Sequence, residues 1–288
     1  MVILQALSLG IVQGLTEFIP ISSSAHLIIV PWLLGWNDAV LTSLSFDVSL
    51  HLGTLLALLT YFAQDWLRLI KAFFASILER RIGDNLDRRL AWFLLAGSIP
   101  GMIVGILAES EIEKVFHGPK TTPAFAALAV MAVIIAVLAL AMFLVERLVR
   151  HTRTLPNISL KDSLLIGLAQ ALAIFPGVSR SGATITAGLA LGLERTAAAR
   201  FSFLLSAPII AGAGLKTFWD MFHTLQGGSG YTTTEWTLFF IGILSASVSG
   251  YLCIKYLLRY LQKNTTDIFA YYRWGLAIVI IVTALMRG

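Results

Sequence analysis

The chain has 288 residues, of which 57% are apolar and only 13% are charged, and its mean hydropathy is +0.82. An average soluble domain is about 25% charged, so this composition excludes a soluble enzyme, a nucleic-acid-binding protein and a disordered chain. The net charge of +5 is therefore expected in the cytoplasmic loops of a membrane protein, and no nucleic-acid partner is expected. Repeated apolar runs of helical length predict an all-α polytopic membrane protein.

The first apolar region, residues 2–36, is interrupted by the polar sequence FIPISSSAH. Pro20 lacks a backbone N–H and ends the helix before it, and a serine after it can cap the next helix. The pattern predicts two short helices that meet at a polar turn, which is a re-entrant hairpin. A membrane tolerates such open backbone only where it is buried in protein or faces water.

The polar side chains of this first hairpin form a candidate catalytic set. Gln13 and Glu17 are four positions apart, so both project from one helix face. Hydroxyls and an imidazole follow in the turn and at the start of the next helix: Ser22, Ser23, Ser24 and His26. An ionisable residue at membrane depth costs at least about 2.5 kcal/mol and is a functional hypothesis by default. The alternative is a Glu17–His26 pair that only specifies packing.

Six further segments are long enough to cross about 30 Å of hydrocarbon. They are 46–62, 92–108, 123–145, 201–219, 236–258 and 268–286. Near the start of the first of them, Asp47 and His51 are four positions apart and share a helix face. These two residues either support the site from behind or cap and anchor the span, and the sequence leaves both interpretations open.

The second broken region, residues 162–193, contains the sequence FPGVSRSGAT. Gly177 allows a tight turn, and the backbone N–H groups at the start of the following helix point towards that turn. Hydroxyl groups come from Ser179, Ser181 and Thr184. Together with the guanidinium of Arg180, these groups predict a phosphate-binding site. The alternative is that Arg180 neutralises Glu17 and binds nothing.

The charges of the loops orient the spans. Lysines and arginines concentrate in segments 64–90 and 146–162, whereas segments 109–122 and 219–236 are biased towards acids. Because basic loops stay in the cytoplasm, the first pair is expected inside and the second pair outside. The six spans place these loops on the expected sides of the membrane only if each broken region enters and leaves the membrane on the same side. Both termini are then external.

This arrangement predicts an inverted-topology repeat, in which each half is a re-entrant hairpin followed by three transmembrane helices. The two halves, residues 1–155 and 156–288, belong to a single membrane domain. An offset of 157 positions aligns Gln13 with Gln170, and the serines of the two turns match at the same offset. The similarity fades beyond the hairpins.

The inverted repeat brings the two turns together near the middle of the membrane. One turn supplies an acid, a base and a nucleophile, and the other supplies an anion site. Phosphoryl transfer requires this combination of positioning, charge stabilisation and proton handling. A transporter or lipid flippase is the alternative, because broken helices at the midplane are typical of secondary transporters.

The two hairpin sequences, QGLTEFIPISSSAH and FPGVSRSGAT, resemble the signature motifs of the undecaprenyl-diphosphate phosphatases, the bacitracin-resistance membrane phosphatases. The resemblance covers essentially the whole chain and includes FDVSLHLGT after the first hairpin and FSFLLSAP after the second. It implies an enzyme of the bacterial plasma membrane that hydrolyses undecaprenyl diphosphate to undecaprenyl phosphate and phosphate. Such an enzyme recycles the lipid carrier for peptidoglycan synthesis, and its excess confers bacitracin resistance.

The same resemblance implies that Glu17, Ser23, His26 and Arg180 form the catalytic core. It also implies a divalent cation, Mg²⁺ or Ca²⁺, with Glu17 as a ligand. Gln13 stands where many members have glutamate, and a neutral amide cannot share a cation as a second carboxylate would. The expected partners are the polyprenyl diphosphate substrate and membrane lipids, and the formation of a homo-oligomer is left open.

The identity of the nucleophile is also left open. Either Ser23 attacks with His26 as its base, or His26 attacks directly. Because the first hairpin opens outward and carries Glu17 and His26, the active site is expected to face the outside of the cell.

Overall fold

The computed structural model describes residues 1–116, 125–226 and 232–287, and these residues form eleven α-helices and two short 3-10 helices. The α-helices are α1 (Val2–Phe18), α2 (Ser23–Leu34), α3 (Leu44–Tyr61), α4 (Ala63–Leu78), α5 (Leu86–Phe116), α6 (Phe125–Leu148), α7 (Leu160–Ala171), α8 (Arg180–Ala190), α9 (Arg195–Gln226), α10 (Thr233–Leu261) and α11 (Asp267–Arg287). The 3-10 helices are Leu155–Asn157 and Leu172–Ile174.

Six of these helices are long and apolar enough to cross a membrane, namely α3, α5, α6, α9, α10 and α11. Each overlaps one of the six segments that hydropathy selects, and the boundaries differ because most of these helices continue into polar residues. The prediction of an all-α polytopic membrane protein is confirmed.

Both broken regions consist of two short helices that meet at a polar turn, as predicted. The first turn, residues 19–22, joins α1 to α2, and the second turn, residues 175–179, precedes α8. Proline explains the break in each case, since Pro20 and Pro176 lie in these turns and cannot donate a helical hydrogen bond.

The two turns share an unusual backbone geometry. Ser22 has φ of 79° and Ser179 has φ of 66°, a region that non-glycine residues rarely adopt. Each serine is the N-cap of the returning helix, where its hydroxyl accepts a hydrogen bond from the third residue along. This likeness supports the offset between the two sequence motifs. The inverted orientation of the halves and their boundary at residue 155 remain predictions.

The first helix of each hairpin packs closely against a span of the other half of the sequence. α1 packs on α10, and α7 packs on α5. At the second contact, a Cβ added to Gly167 would lie only 2.0 Å from the carbonyl oxygen of Gly97. Backbones that approach this closely are typical of helix pairs in membranes, where small residues permit tight packing.

Segment 64–90, which the charge analysis assigns to a cytoplasmic loop, contains helix α4 instead. Its apolar residues recur at helical spacing, and Leu67, Ile70, Phe74 and Ile77 are exposed on its surface. A charged helix with one exposed apolar face is suited to lie at the membrane interface. The acid-biased segments 109–122 and 219–236 fall partly outside the described residues.

Candidate active site

An ion pair joins the two hairpins. Glu17 lies in the last turn of α1, Arg180 is the first residue of α8, and the Arg180 guanidinium donates to Oε1 of Glu17. Glu17 is 5% exposed. The structure therefore brings the two turns together, as the sequence predicts. It also shows that Arg180 neutralises Glu17, which was part of the alternative interpretation.

The second carboxylate oxygen of Glu17 accepts hydrogen bonds from its own hairpin. Gln13 Nε2 donates to Oε2 over 2.9 Å, and Ser23 Oγ donates to the same oxygen over 2.7 Å. His51 Nε2 lies 3.5 Å from this oxygen. The hydroxyl of Ser23 is thus oriented by Glu17, which is placed to accept its proton.

These groups border a cavity of about 240 Å³. Its polar wall comes from both hairpins and from α3. The lining residues are Glu17, Ser23, Ser24, His51, Gln170, Ser179 and Arg180, with Gly101, Gly105, Ala171, Ala173, Ile174 and Ile209 on the apolar side. A concave site with a few convergent polar groups is the usual form of a substrate pocket.

His26 makes other contacts than the sequence analysis expects. Its Nδ1 lies 2.6 Å from the carbonyl oxygen of Ser22, and its Nε2 lies 2.8 Å from the hydroxyl of Tyr272. A carbonyl only accepts, so Nδ1 carries the proton, and the neutral ring accepts from Tyr272 at Nε2. His26 therefore ties the first turn to α11, and Ser23 is paired with Glu17 rather than with this ring.

The predicted phosphate site is divided between the cavity and the packing behind it. Ser179 and Arg180 line the cavity. Ser181 Oγ donates to the carbonyl oxygen of Ile19 over 3.3 Å, and Thr184 Oγ1 donates to the carbonyl oxygen of Arg180 over 2.7 Å. Ser181 and Thr184 thus hold the turn that presents Arg180.

Of the two residues that the sequence leaves open, His51 lines the cavity, and Asp47 contacts His51 through its backbone. The backbone carbonyl of Asp47 accepts from Nδ1 of His51 over 2.8 Å. A carbonyl only accepts, so Nδ1 carries a proton, and Nε2 faces the Glu17 carboxylate. Ser22 acts through its backbone and its cap, as described above.

Arg273 contacts both turns and is absent from the residues that the sequence selects. It is fully buried, and its guanidinium donates to the carbonyl oxygens of Pro20, Gly177 and Ile135 over 3.4, 2.8 and 3.2 Å. The first two carbonyls belong to the two turns, so a single side chain of α11 holds both. The sequence does contain a signal for this residue, namely an arginine within the apolar span α11, because an ionisable residue inside a span is a functional hypothesis by default.

The described residues do not offer a preformed site for a divalent cation. Glu17 is the one carboxylate among the residues that line the cavity, and both of its oxygens already accept hydrogen bonds. No group of three histidine, cysteine or acidic side chains is close enough to hold an ion in the part of the chain that the structure describes. Divalent cations favour several oxygen ligands with more than one carboxylate or with phosphates.

Six spans and two short hairpins, with a buried carboxylate–guanidinium pair in a cavity, define a polytopic membrane protein with a polar internal site. The sequence profile of the Bacitracin resistance protein BacA family matches residues 6–279, and the chain belongs to this family.

Relatives of the same length support this assignment. A protein of Thermomicrobium roseum named undecaprenyl-diphosphatase is 44% identical, and the alignment covers 96% of each chain. Proteins with the same name from Moorella thermoacetica and Methanobrevibacter smithii are 42% and 43% identical, over 100% and 96% of each chain. The similarity therefore includes both hairpins and all six spans.

Proposed function

We infer that this protein hydrolyses undecaprenyl diphosphate to undecaprenyl phosphate and inorganic phosphate. The observation that carries this inference is the cluster of Glu17, Ser23 and Arg180 at one cavity, where a nucleophile, a proton acceptor and an anion-binding group meet. The full-length relatives named undecaprenyl-diphosphatase support the choice of substrate.

The geometry favours Ser23 over His26 as the nucleophile. Ser23 Oγ attacks the terminal phosphorus, and its proton passes to Oε2 of Glu17, which lies 2.7 Å away. The bond between this phosphorus and the bridging oxygen breaks, and undecaprenyl phosphate leaves. Water then hydrolyses the phosphoserine, releases phosphate and restores the hydroxyl.

Arg180 stabilises the charge that develops during this step. Protonation removes the negative charge of Glu17, and the uncharged carboxyl releases the guanidinium to the phosphate oxygens. Ser179 and the N-terminus of α8 add further donors at the same turn. His26 keeps the first turn in place from behind.

A divalent cation, Mg²⁺ or Ca²⁺, stays a prediction. Because Glu17 is already neutralised by Arg180, a cation that takes part is expected to enter with the diphosphate, whose oxygens would supply most of its ligands. No step above depends on it.

The cavity lies towards the acid-biased ends of the spans, which supports an active site on the outer side of a bacterial plasma membrane. His51, Gly101 and Ile209 each lie about two turns from that end of their spans. The distance to the basic ends is greater, and basic ends stay in the cytoplasm. Hydrolysis on the outer side recycles the carrier lipid of peptidoglycan synthesis and would confer resistance to bacitracin.

A flippase for polyprenyl phosphate remains the second candidate, because short hairpins between spans are also a feature of transporters. Two assays on the same wild-type preparation separate the candidates. We expect purified protein in detergent to release phosphate from undecaprenyl diphosphate. Translocation of a labelled polyprenyl phosphate in proteoliposomes, without any release of phosphate, would support the flippase instead.

A further inference from the structure

Gln170 is a buried polar residue at the cavity, and its amide has no hydrogen-bond partner in the part of the chain that the structure describes. It lies near the end of α7, is 3% exposed, and lines the cavity together with Glu17 and Arg180. Neither its Nε2 nor its Oε1 makes a hydrogen bond within the described residues. Buried amides are almost always hydrogen-bonded, since an unpaired one forfeits its interaction with water.

The corresponding residue of the first hairpin shows what Gln170 lacks. Gln13 aligns with Gln170 at the 157-residue offset, and its amide donates to Glu17 four positions on. Four positions after Gln170 comes Ile174, at the end of the 3-10 helix that follows α7, and it also lines the cavity. The first hairpin therefore pairs the amide nitrogen of its glutamine, whereas among the described residues the amide nitrogen of Gln170 has no acceptor.

Packing alone does not require an amide at this position. Close contact between α7 and α5 is made by Gly167 against Gly97 and by Ser163 Oγ, which donates to the carbonyl oxygen of Phe93. The Gln170 amide nitrogen lies beside Gly101, another residue of the cavity wall. An unbranched apolar side chain such as methionine would fill the same volume.

We propose that Gln170 binds the diphosphate group of the substrate, with its Nε2 donating to a non-bridging phosphate oxygen. An amide suits this position because it donates without adding a second negative charge beside Glu17. The phosphate oxygen of the substrate is then the hydrogen-bond acceptor for the Gln170 amide. Gln170 and Arg180 together orient the terminal phosphorus towards Ser23.

This inference rests on the proposed function, so its test begins with phosphate release by the wild-type protein. The variants are Gln170→Met, which keeps the volume, and Gln170→Glu, which keeps the shape but adds charge. Gln262→Met, at an exposed position after α10, is the matched control. Thermal stability is measured for each, together with kcat, KM and inhibition by methylenediphosphonate, a diphosphate analogue that resists cleavage.

We expect Gln170→Met to lower kcat/KM by about 10- to 100-fold, which is the range for a hydrogen bond to a charged group. Gln170→Glu is expected to lower it further through repulsion, and both variants to raise the inhibition constant of methylenediphosphonate. The Tm of Gln170→Met should equal or exceed that of the wild type, because an unpaired buried amide has been removed.

The inference is overturned if Gln170→Met matches Gln262→Met in kcat/KM and in inhibition. It is also overturned if the Tm of Gln170→Met falls clearly below the wild-type value, since the amide would then be satisfied within the folded protein. A wild-type protein that releases no phosphate contradicts the proposed function itself, and binding of methylenediphosphonate then still reports on Gln170.

Discussion

Ser23 and Ser24 are neighbours on the cavity wall with different partners. Ser23 Oγ donates to Glu17, whereas Ser24 Oγ lies 3.3 Å from the hydroxyl of Ser22. This difference distinguishes a nucleophile from a neighbouring hydroxyl, because only Ser23 has a proton acceptor in contact.

Replacement of Ser23 by alanine is expected to lower kcat by about 10²- to 10⁴-fold, since it removes the attacking oxygen together with its proton transfer. Ser24→Ala is the matched control and is expected to retain activity within several-fold. Phosphate release and mass spectrometry of the trapped enzyme measure both. A phosphorylated His26 in the Ser23→Ala variant would eliminate the serine route.

The residues that meet at Glu17 differ in how far the sequence predicts them. Gln13 is one helical turn away and Arg180 belongs to a recognisable motif, so both were identified from spacing and chemistry. For His51, the sequence does not distinguish support of the site from anchoring of the span. No local pattern indicates whether a residue of another helix faces the hairpin. Its contact with Glu17 is a property of the assembled fold.

At the scale of the element, α11 has a role that hydropathy does not reveal. It carries Tyr272, which bonds His26, and Arg273, which bonds both turns. These contacts join residues that are up to 253 positions apart in the chain. The sequence identifies α11 only as an apolar span, since neither motif contains its residues.

Arg273→Met is expected to lower kcat/KM by at least about tenfold, because the two turn carbonyls lose their shared donor and the site loses its alignment. Arg273→Lys should recover part of this loss, since an ammonium donates but cannot reach all three carbonyls in a fixed fork. Arg259→Met, at an exposed position of α10, is the control. Equal activity of Arg273→Met and Arg259→Met would show that α11 does not position the turns.

The contact between α7 and α5 makes a separate prediction about stability. Gly167→Ala would place a Cβ against the Gly97 carbonyl, so the helices must separate and the Tm is expected to fall by several degrees. Gly275→Ala in α11 meets nothing within 4 Å and is expected to hold or raise the Tm, because alanine is the better helix former. Thermal unfolding in detergent compares the two, and equal Tm values would argue against the close α5–α7 contact.

At the scale of the whole molecule, the sequence predicts the spans well and the remaining architecture less well. Apolar runs of sufficient length have one stable solution in a membrane, which is why all six spans agree with the structure. The sequence predicts a loop in place of helix α4, because the segment is rich in charged residues, although its apolar residues share one helix face. Its exposed apolar side chains are suited to contact lipid at the membrane interface.

The predicted orientation of the chain is tested at its C-terminus. Six spans and two hairpins that each enter and leave on one side predict external termini. A C-terminal alkaline phosphatase fusion is then expected to be active and a C-terminal green fluorescent protein fusion to be dark. Fusions within segment 64–90, which carries six of the basic residues, should give the opposite pattern. A fluorescent C-terminal fusion would contradict the predicted inverted repeat.

One buried carboxylate, Glu17, is expected to drive the hydrolysis of a lipid diphosphate. The most direct measurement is phosphate release from undecaprenyl diphosphate by purified wild type, Glu17→Gln and the control Glu79→Gln, whose side chain is exposed and pairs with Arg88. We predict release by the wild type and by Glu79→Gln, and a loss of about 10²- to 10⁴-fold in Glu17→Gln, because an amide cannot accept the proton of Ser23. Release at the wild-type rate by Glu17→Gln would show that the Glu17 carboxylate is not the proton acceptor in hydrolysis.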